Sequence, residues 1–296
     1  MRVAVVGPGG VGLFFAAHLA ATGTRVLCCA RRPFDRYVVE SAVAPVEGPA
    51  DVVTDPAEVD GTYDVVLVVV KAHQTGSAAG WLSALCGPNT VVVSIQNGVE
   101  AHQRLAPLVG GAAIVEGVVY CGGTLVAPGH TLNTGGGRLI LPEGPSSSMV
   151  ADLFADTPVK VRPHPEHLTE KWRKLGVNVA LNGVTALTDR PITVAGSGPG
   201  REVAGALMTE CWTVARAEGA DLGPEDVEAA LDNFARNRGG RTSMHQDRLA
   251  GRSTEHDALY GAVVRIGSAH GIPTPVNAAV GALLAAGDLD PPLPLD

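Results

Sequence analysis

The sequence has no hydrophobic run long enough for a membrane. Its longest strongly apolar stretch, Val65–Val70, falls far short of the roughly 20 residues an α-helical span requires. Positive charge is also scarce. With 22 Lys and Arg against 30 Asp and Glu, the chain carries a net charge of −8. That balance favours solubility and argues against a general affinity for nucleic acid or anionic lipid, so any basic site must be local. The five cysteines (Cys28, Cys29, Cys86, Cys121, Cys211) are odd in number and form no CxxC or zinc spacing, which favours reduced, mostly buried thiols over a disulfide framework. The opening MRVAVVGPGG lacks the apolar core and cleavage pattern of a signal peptide. No internal repeat or low-complexity tract stands out. A cytoplasmic globular protein is the expectation.

At 296 residues the chain is long for one core and suggests about two domains. Val3–Val6, Arg25–Cys29, Val65–Val70 and Val91–Ser94 are short apolar runs, and helical patterns such as Val11–Ala21 and Ser77–Leu85 lie between them. Strands alternating with helices predict βαβ units and a mostly parallel sheet covered on both faces. Further strands are predicted at Val118–Tyr120, Thr124–Val126, Arg138–Leu141 and Val159–Val161, extending that sheet. The two prolines of Arg162–His167 read as a linker. Beyond it the pattern is helical over Leu168–Leu187, Gly200–Glu218, Pro224–Arg236, Ser243–Leu249, Thr254–His270 and Thr274–Ala286, before a loose tail, DPPLPLD. The expected fold is α/β: a dinucleotide-binding domain over 1–163 with a mostly parallel sheet, and an all-α domain over 164–296.

Gly7, Gly9 and Gly12 directly follow the first strand and open a helix, the context in which GxGxxG carries meaning. Gly7 permits the tight turn, Gly9 lets a pyrophosphate approach the backbone, and Gly12 lets helix and strand pack closely. The pyrophosphate then rests on the N–H groups of the helix N-terminus, which includes Gly10 and Val11. An NAD site usually places a carboxylate at the end of the second strand, ~20 residues further on. Here the chain reads Cys28-Cys29-Ala30-Arg31-Arg32. Arg31 and Arg32 suit a charge-assisted grip on the 2′-phosphate of NADP, and one such contact favours NADP about ten- to a hundred-fold. Solvated loop arginines are the bland alternative. Lys71 and Asn97 close two strands of the same sheet, beyond whose carboxyl ends ligands bind.

In KWRKLGVNVALNGVTAL, Lys174, Asn178 and Asn182 recur every four residues through otherwise apolar sequence. Each step advances only ~40° around a helix, so the three form one slanting stripe. A helix that is apolar nearly all round is buried, and its polar stripe needs polar company. From the residues alone, a ligand cleft, a solvent face and a structural hydrogen-bond network remain open. Ser243 and Gln246 match a capping box, as do Thr254 and Asp257. Glu255 then complements the helix dipole. A capped helix N-terminus is also a carboxylate site, so Ser243 admits both readings.

Seven stretches together, VVGPGGVG, VVVKAHQT, SIQNGVE, NTGGGRLIL, EKWRKLGVNVALNGVTAL, SMHQDRLAGRSTEHDALYGAVVR and HGIPTPVN, resemble the ketopantoate reductases (2-dehydropantoate 2-reductases) over nearly the whole chain. The resemblance implies a Rossmann domain, a helical domain, and a cleft between them for NADPH and a 2-keto acid. It implies Lys174 as the catalytic acid, with Glu255 beside the substrate hydroxyl and the lysine. It also implies Asn178, Asn182 and Ser243 as substrate contacts, Ser243 to the carboxylate, with Lys71 and Asn97 at the nicotinamide or the substrate. The chain departs from the family's pattern at Gly240, three residues before Ser243, where Asn is frequent, and in the run Gly239–Thr242, whose Arg241 offers an alternative carboxylate clamp. His245 and His256 stand where aliphatic residues are expected. A reductase of another 2-keto acid is therefore the first alternative, and a non-catalytic NADP sensor the second. The implied partner is a small 2-keto acid, with neither nucleic acid nor membrane; assembly as a homodimer is left open.

Overall fold

The computed structural model describes residues 1–42, 44–236 and 240–288. Gly239 and the tail DPPLPLD, both singled out above, lie outside the described residues. The chain divides into two compact units, Met1–His167 and Leu168–Asp296.

In chain order, the first unit contains β1 (Arg2–Val6), α1 (Gly10–Ala21), β2 (Arg25–Cys29), β3 (Arg36–Glu40), β4 (Val46–Pro49), β5 (Asp51–Val53), β6 (Val65–Val68), α2 (Ala79–Leu85), β7 (Val91–Ser94), α3 (Ala101–Leu105), β8 (Ala113–Glu116), β9 (Val118–Ala127), β10 (His130–Leu141), α4 (Pro145–Leu153) and β11 (Lys160–Pro163). Six strands form one sheet in the order β5-β2-β1-β6-β7-β8, every pair parallel. Numbered among themselves, these strands run 3-2-1-4-5-6, the doubly wound order whose switch point lies between the first and fourth strands, here β1 and β6.

Alternation along the strands makes two cores. Val3, Val5, Val26, Cys28, Val65, Leu67, Val91 and Val93 point to one face, where α1 packs. Ala4, Val6, Leu27, Cys29, Val66, Val68 and Val92 point to the other, where Leu82 and Leu85 of α2 cover them. Burial on both faces explains why these strands read as continuous apolar runs rather than as alternating ones.

The later strands do not extend this sheet, contrary to expectation; only β8 does. They build a second sheet in which β9 runs antiparallel to β10, while β3 and β11 pair parallel with separate stretches of β10 and β4 pairs antiparallel with β3. Tyr37, Val39, Val119, Leu139 and Leu141 from this sheet join the core around α1. An otherwise apolar helix, buried from Gly12 to Leu19, thus has sheet residues on more than one side. The residues read as a linker belong to elements as well: Arg162 and Pro163 end β11, and His167 begins the next helix.

Among its described residues the second unit has helices and no strand: α5 (His167–Thr188), α6 (Gly198–Ala217), α7 (Pro224–Arg236), α8 (Ser243–Leu249), α9 (Ala262–Ala269) and α10 (Pro275–Gly287). The stretch expected as one helix from Thr254 begins instead with a π-helical turn, Asp257–Gly261, that leads into α9. No helix among the described residues is long and apolar enough to cross a membrane.

Candidate active site

In the first unit, the candidate site starts from backbone geometry. β1 ends at Val6 and the chain turns through Gly7, whose φ of +89° suits glycine. The Gly7 N–H donates to the Cys29 carbonyl at 3.3 Å, tying the turn to the end of β2. A Cβ at Gly7 would lie 2.8 Å from the Val70 nitrogen, and one at Gly12 would strike the Gly7 carbonyl. At Gly9 nothing lies within 4 Å. Two glycines of the motif therefore serve close packing, while the third presents an open face at the start of α1, whose first N–H groups have no partner within the helix. A pyrophosphate fits such a cradle.

Gly10 has a different reason to be glycine. A Cβ there would collide with the Gly123 carbonyl of β9, and one at Gly123 would lie 2.6 Å from the Gly10 carbonyl carbon. The Thr131 hydroxyl of β10 donates to the Gly10 oxygen at 2.9 Å. The β9–β10 hairpin is thus seated on the first turn of α1. This leaves Gly10 only its N–H to offer a nucleotide. Val11 beside it is half-buried.

Arg31 and Arg32 follow β2 and are exposed. Among the described residues neither is paired with a carboxylate. The strand end beneath them is neutral: burial pushes the Cys28 thiol up to about 12 and also raises Cys29. No thiolate opposes a phosphate there at neutral pH.

β6 closes at Val68, two residues earlier than expected, and Lys71 caps a short 3₁₀ helix, Ala72–Ala78. Asn97 follows β7 and precedes Gly98, whose φ is +94°. Both side chains are half-buried. Between them lies Gln96, which the motif reading passed over. Buried, it donates through Nε2 to the Val70 carbonyl at 3.0 Å and to Thr75 Oγ1 at 2.8 Å. One amide therefore fixes the Lys71 loop against the Asn97 loop. A glutamine two residues after a fully buried strand is the signal that could have revealed it.

In the second unit, the candidate residues are side chains. The back of α5 is notched: a Cβ at Gly176 would collide with the Trp212 indole, and one at Gly183 with the Tyr260 hydroxyl. Trp212 donates to the Trp172 carbonyl at 3.2 Å, and Tyr260 to that of Val179 at 2.6 Å. Burial keeps the Tyr260 phenol protonated far above its usual range. The notches lie roughly opposite the Lys174 line on the helix wheel, so packing of the bulky rings sets which way the stripe faces. Lys174 and Asn178 are half-buried and Asn182 is buried. Of the three readings left open, the hydrogen-bond network applies to Asn182, whose Oδ1 accepts from the Met244 N–H at 3.4 Å.

α8 is capped one residue earlier than expected. Thr242, in extended conformation, accepts from the His245 N–H at 3.3 Å, which leaves Ser243 exposed in the first turn with no capping duty. The second expected box is absent as well. Asp257 instead receives Arg265 at 2.5 Å. The Asp288 carboxylate holds Thr254, accepting from its N–H at 2.7 Å and its hydroxyl at 3.0 Å, and meets His256 Nδ1 at 3.2 Å. Glu255 between them is buried, at 4 % exposure, two residues before the π-helical turn. Such turns recur at functional sites.

The chain matches the family model for ketopantoate reductase PanE/ApbA over residues 3–146 and that for its C-terminal part over residues 166–288. It is 39 % identical to the 2-dehydropantoate 2-reductase of Caulobacter vibrioides over 292 residues, covering 97 % of this chain and 99 % of the relative. A crystal structure of a PanE/ApbA family ketopantoate reductase from Ralstonia eutropha superimposes with a TM-score of 0.88 at 32 % identity, covering 97 % and 98 % of the two chains. D-mandelate dehydrogenase in ternary complex with NADH and anilino(oxo)acetate shares the fold at a TM-score of 0.88 and 22 % identity, with the same coverage. The motifs, the strand order and these matches agree: the chain belongs to the ketopantoate reductase family.

Proposed function

We propose that the chain reduces ketopantoate to pantoate with NADPH, in the cytoplasm, as a step of pantothenate and coenzyme A biosynthesis. The observation that carries the reading is the notched helix α5, whose packing on Trp212 and Tyr260 turns an ammonium and two amides onto one line in a member of this family. In this reading the N-terminal domain, 1–163, holds the cofactor and the helical domain, 164–296, acts on the keto acid.

NADPH, when bound, supplies the hydride. Gly7, Gly9, Gly10, Val11 and Gly12 shape its pyrophosphate cradle, and Arg31 and Arg32 grip its 2′-phosphate. Lys71 and Asn97 serve its nicotinamide end, Asn97 also touching the substrate. The Ser243 hydroxyl donates to the substrate carboxylate, with Asn178 and Asn182 along the same pocket. As the ketone carbon is reduced, negative charge grows on its oxygen. The Lys174 ammonium stabilises that charge and surrenders a proton to it. Glu255 accepts from the new hydroxyl and keeps the lysine aligned.

A second reading has its own observation. Gly240 has a φ of +129° and its N-terminal flank of α8 carries no side chain at the position where Asn is frequent, which is compatible with a bulkier 2-keto acid. Initial rates of NADPH oxidation with ketopantoate, repeated with NADH and with aryl and branched 2-keto acids, test both. The first reading requires ketopantoate with NADPH to be the best pair by at least about tenfold in kcat/KM. An aryl keto acid ahead of ketopantoate selects the second. NADPH binding without turnover on any of them contradicts both.

A further inference from the structure

Ser243 is exposed, and its own side chain is not what holds it. Its neighbours are held, and all by one face of α5 and the residue just beyond it. Asn182 Oδ1 accepts from the Met244 N–H at 3.4 Å. The Thr185 and Thr242 hydroxyls meet at 2.8 Å. The Asp189 carboxylate meets His245 Nε2 at 2.7 Å. Steps of three and four residues keep 182, 185 and 189 on one side of a helix, and they grip 242, 244 and 245, the residues on either side of Ser243.

Donor arithmetic gives the network a direction. A threonine hydroxyl has one proton to give. Thr185 lies 2.7 Å from the Leu181 carbonyl, so its proton goes there and it accepts from Thr242. Thr242 in turn accepts from the His245 N–H at 3.3 Å. The chain therefore runs from the His245 N–H to Thr242, to Thr185, to Leu181, with each hydroxyl used as both donor and acceptor. Asp189 is an acceptor only, so His245 presents Nε2–H to it. The imidazole is buried, with 3 % exposure, and Nδ1 has no hydrogen-bond partner among the described residues. Among the described residues Asp189 is the one non-glycine with positive φ, +52°. That conformation is tolerable for aspartate but unfavourable, and it is the one that brings the carboxylate to the ring.

We infer that Thr185, Asp189 and His245 are positioning residues: they fix the Thr242–His245 segment on α5, and so hold the Ser243 hydroxyl in register with Lys174 on the same helix. The inference rests on the proposed role of Ser243 as the carboxylate anchor. It also gives a use to His245, which departs from the aliphatic residue the family resemblance led one to expect.

The test is a KM-against-kcat comparison in six variants, with Tm recorded for each. Thr185→Val keeps the shape and removes the hydroxyl. Asp189→Gly removes the carboxylate and accepts the positive φ, which separates the lost bond from backbone strain. Each is expected to raise the keto acid KM about tenfold, with kcat and NADPH affinity within about threefold of wild type. Thr185→Ser and Asp189→Asn, which keep the hydrogen bonds, are expected to restore KM to within about twofold. In a Ser243→Ala background, Thr185→Val is expected to add nothing further, because the group it positions is gone. Wild-type KM in Thr185→Val and Asp189→Gly, with Ser243→Ala raised, overturns the clamp while leaving Ser243 as the anchor. A rise that persists undiminished on top of Ser243→Ala, or that tracks the fall in Tm without rescue by the conservative variants, also overturns it. A wild-type KM in Ser243→Ala removes the anchor, and the inference falls with it.

Discussion

The start of α1 and the middle of α5 solve opposite problems. At α1 the chain strips side chains away. Gly7, Gly9, Gly10 and Gly12 leave bare backbone, and three of the four are filled by close neighbours, so that only the Gly9 face is open. At α5 glycines are used on the back of the helix, where Gly176 and Gly183 receive Trp212 and Tyr260, and long polar side chains are kept on the front. Binding a large, invariant nucleotide asks for backbone donors in a fixed frame. Protonating a small ketone asks for a titratable side chain held in one direction. The same residue type, glycine, leaves an open backbone face in one region and serves only the packing in the other.

Substitutions at the two places are expected to behave accordingly. Lys174→Ala removes the proposed proton donor and is expected to lower kcat by about 10²–10⁴-fold; steady-state kinetics within about threefold of wild type would take Lys174 out of the chemistry. Replacing Arg31 and Arg32 together by Ala is expected to weaken NADPH about ten- to a hundred-fold while barely changing NADH. Equal losses for both cofactors would refute the 2′-phosphate assignment. The last effect, read on stability rather than on activity, belongs to the hairpin contact. Gly10→Ala pushes a methyl into the Gly123 carbonyl and is expected to cost about 1–3 kcal/mol, read as a fall in the denaturant midpoint. An unchanged midpoint would mean that the hairpin is not clamped on α1.

The two regions also differed in how much could be read from sequence. The glycine motif and four buried strands were plain, because a strand covered on both faces is a continuous apolar run bounded by turns. The second sheet was not. β3 and β4 are five and four residues long, and β4 carries both Gly48 and Pro49, which weaken any strand pattern. β9 and β10 were glimpsed in pieces because Gly122-Gly123 and Gly135–Gly137 interrupt them. The polar stripe of α5 was visible as a period of four, but not what it faced: that depends on the rings of Trp212 and Tyr260, which are 36 and 77 residues from Gly176 and Gly183 in sequence. The caps at Thr242 and Asp288 were missed for a related reason. Several side chains at each site were competent to cap, and the choice was made by partners far along the chain, Thr185 in one case and α10 in the other.

The division of labour between backbone and side chain is tested most directly by titrating NADPH into two variants, Gly9→Val and Lys174→Ala. Gly9 has an ordinary φ of −83° and a β-carbon there meets nothing within 4 Å, so in the proposed reading a valine side chain intrudes on the bound ligand. The account predicts that Gly9→Val loses NADPH affinity by at least about a hundredfold while Lys174→Ala keeps it within about twofold. If Gly9→Val binds NADPH as well as wild type, or if Lys174→Ala loses binding to the same extent, the account is wrong.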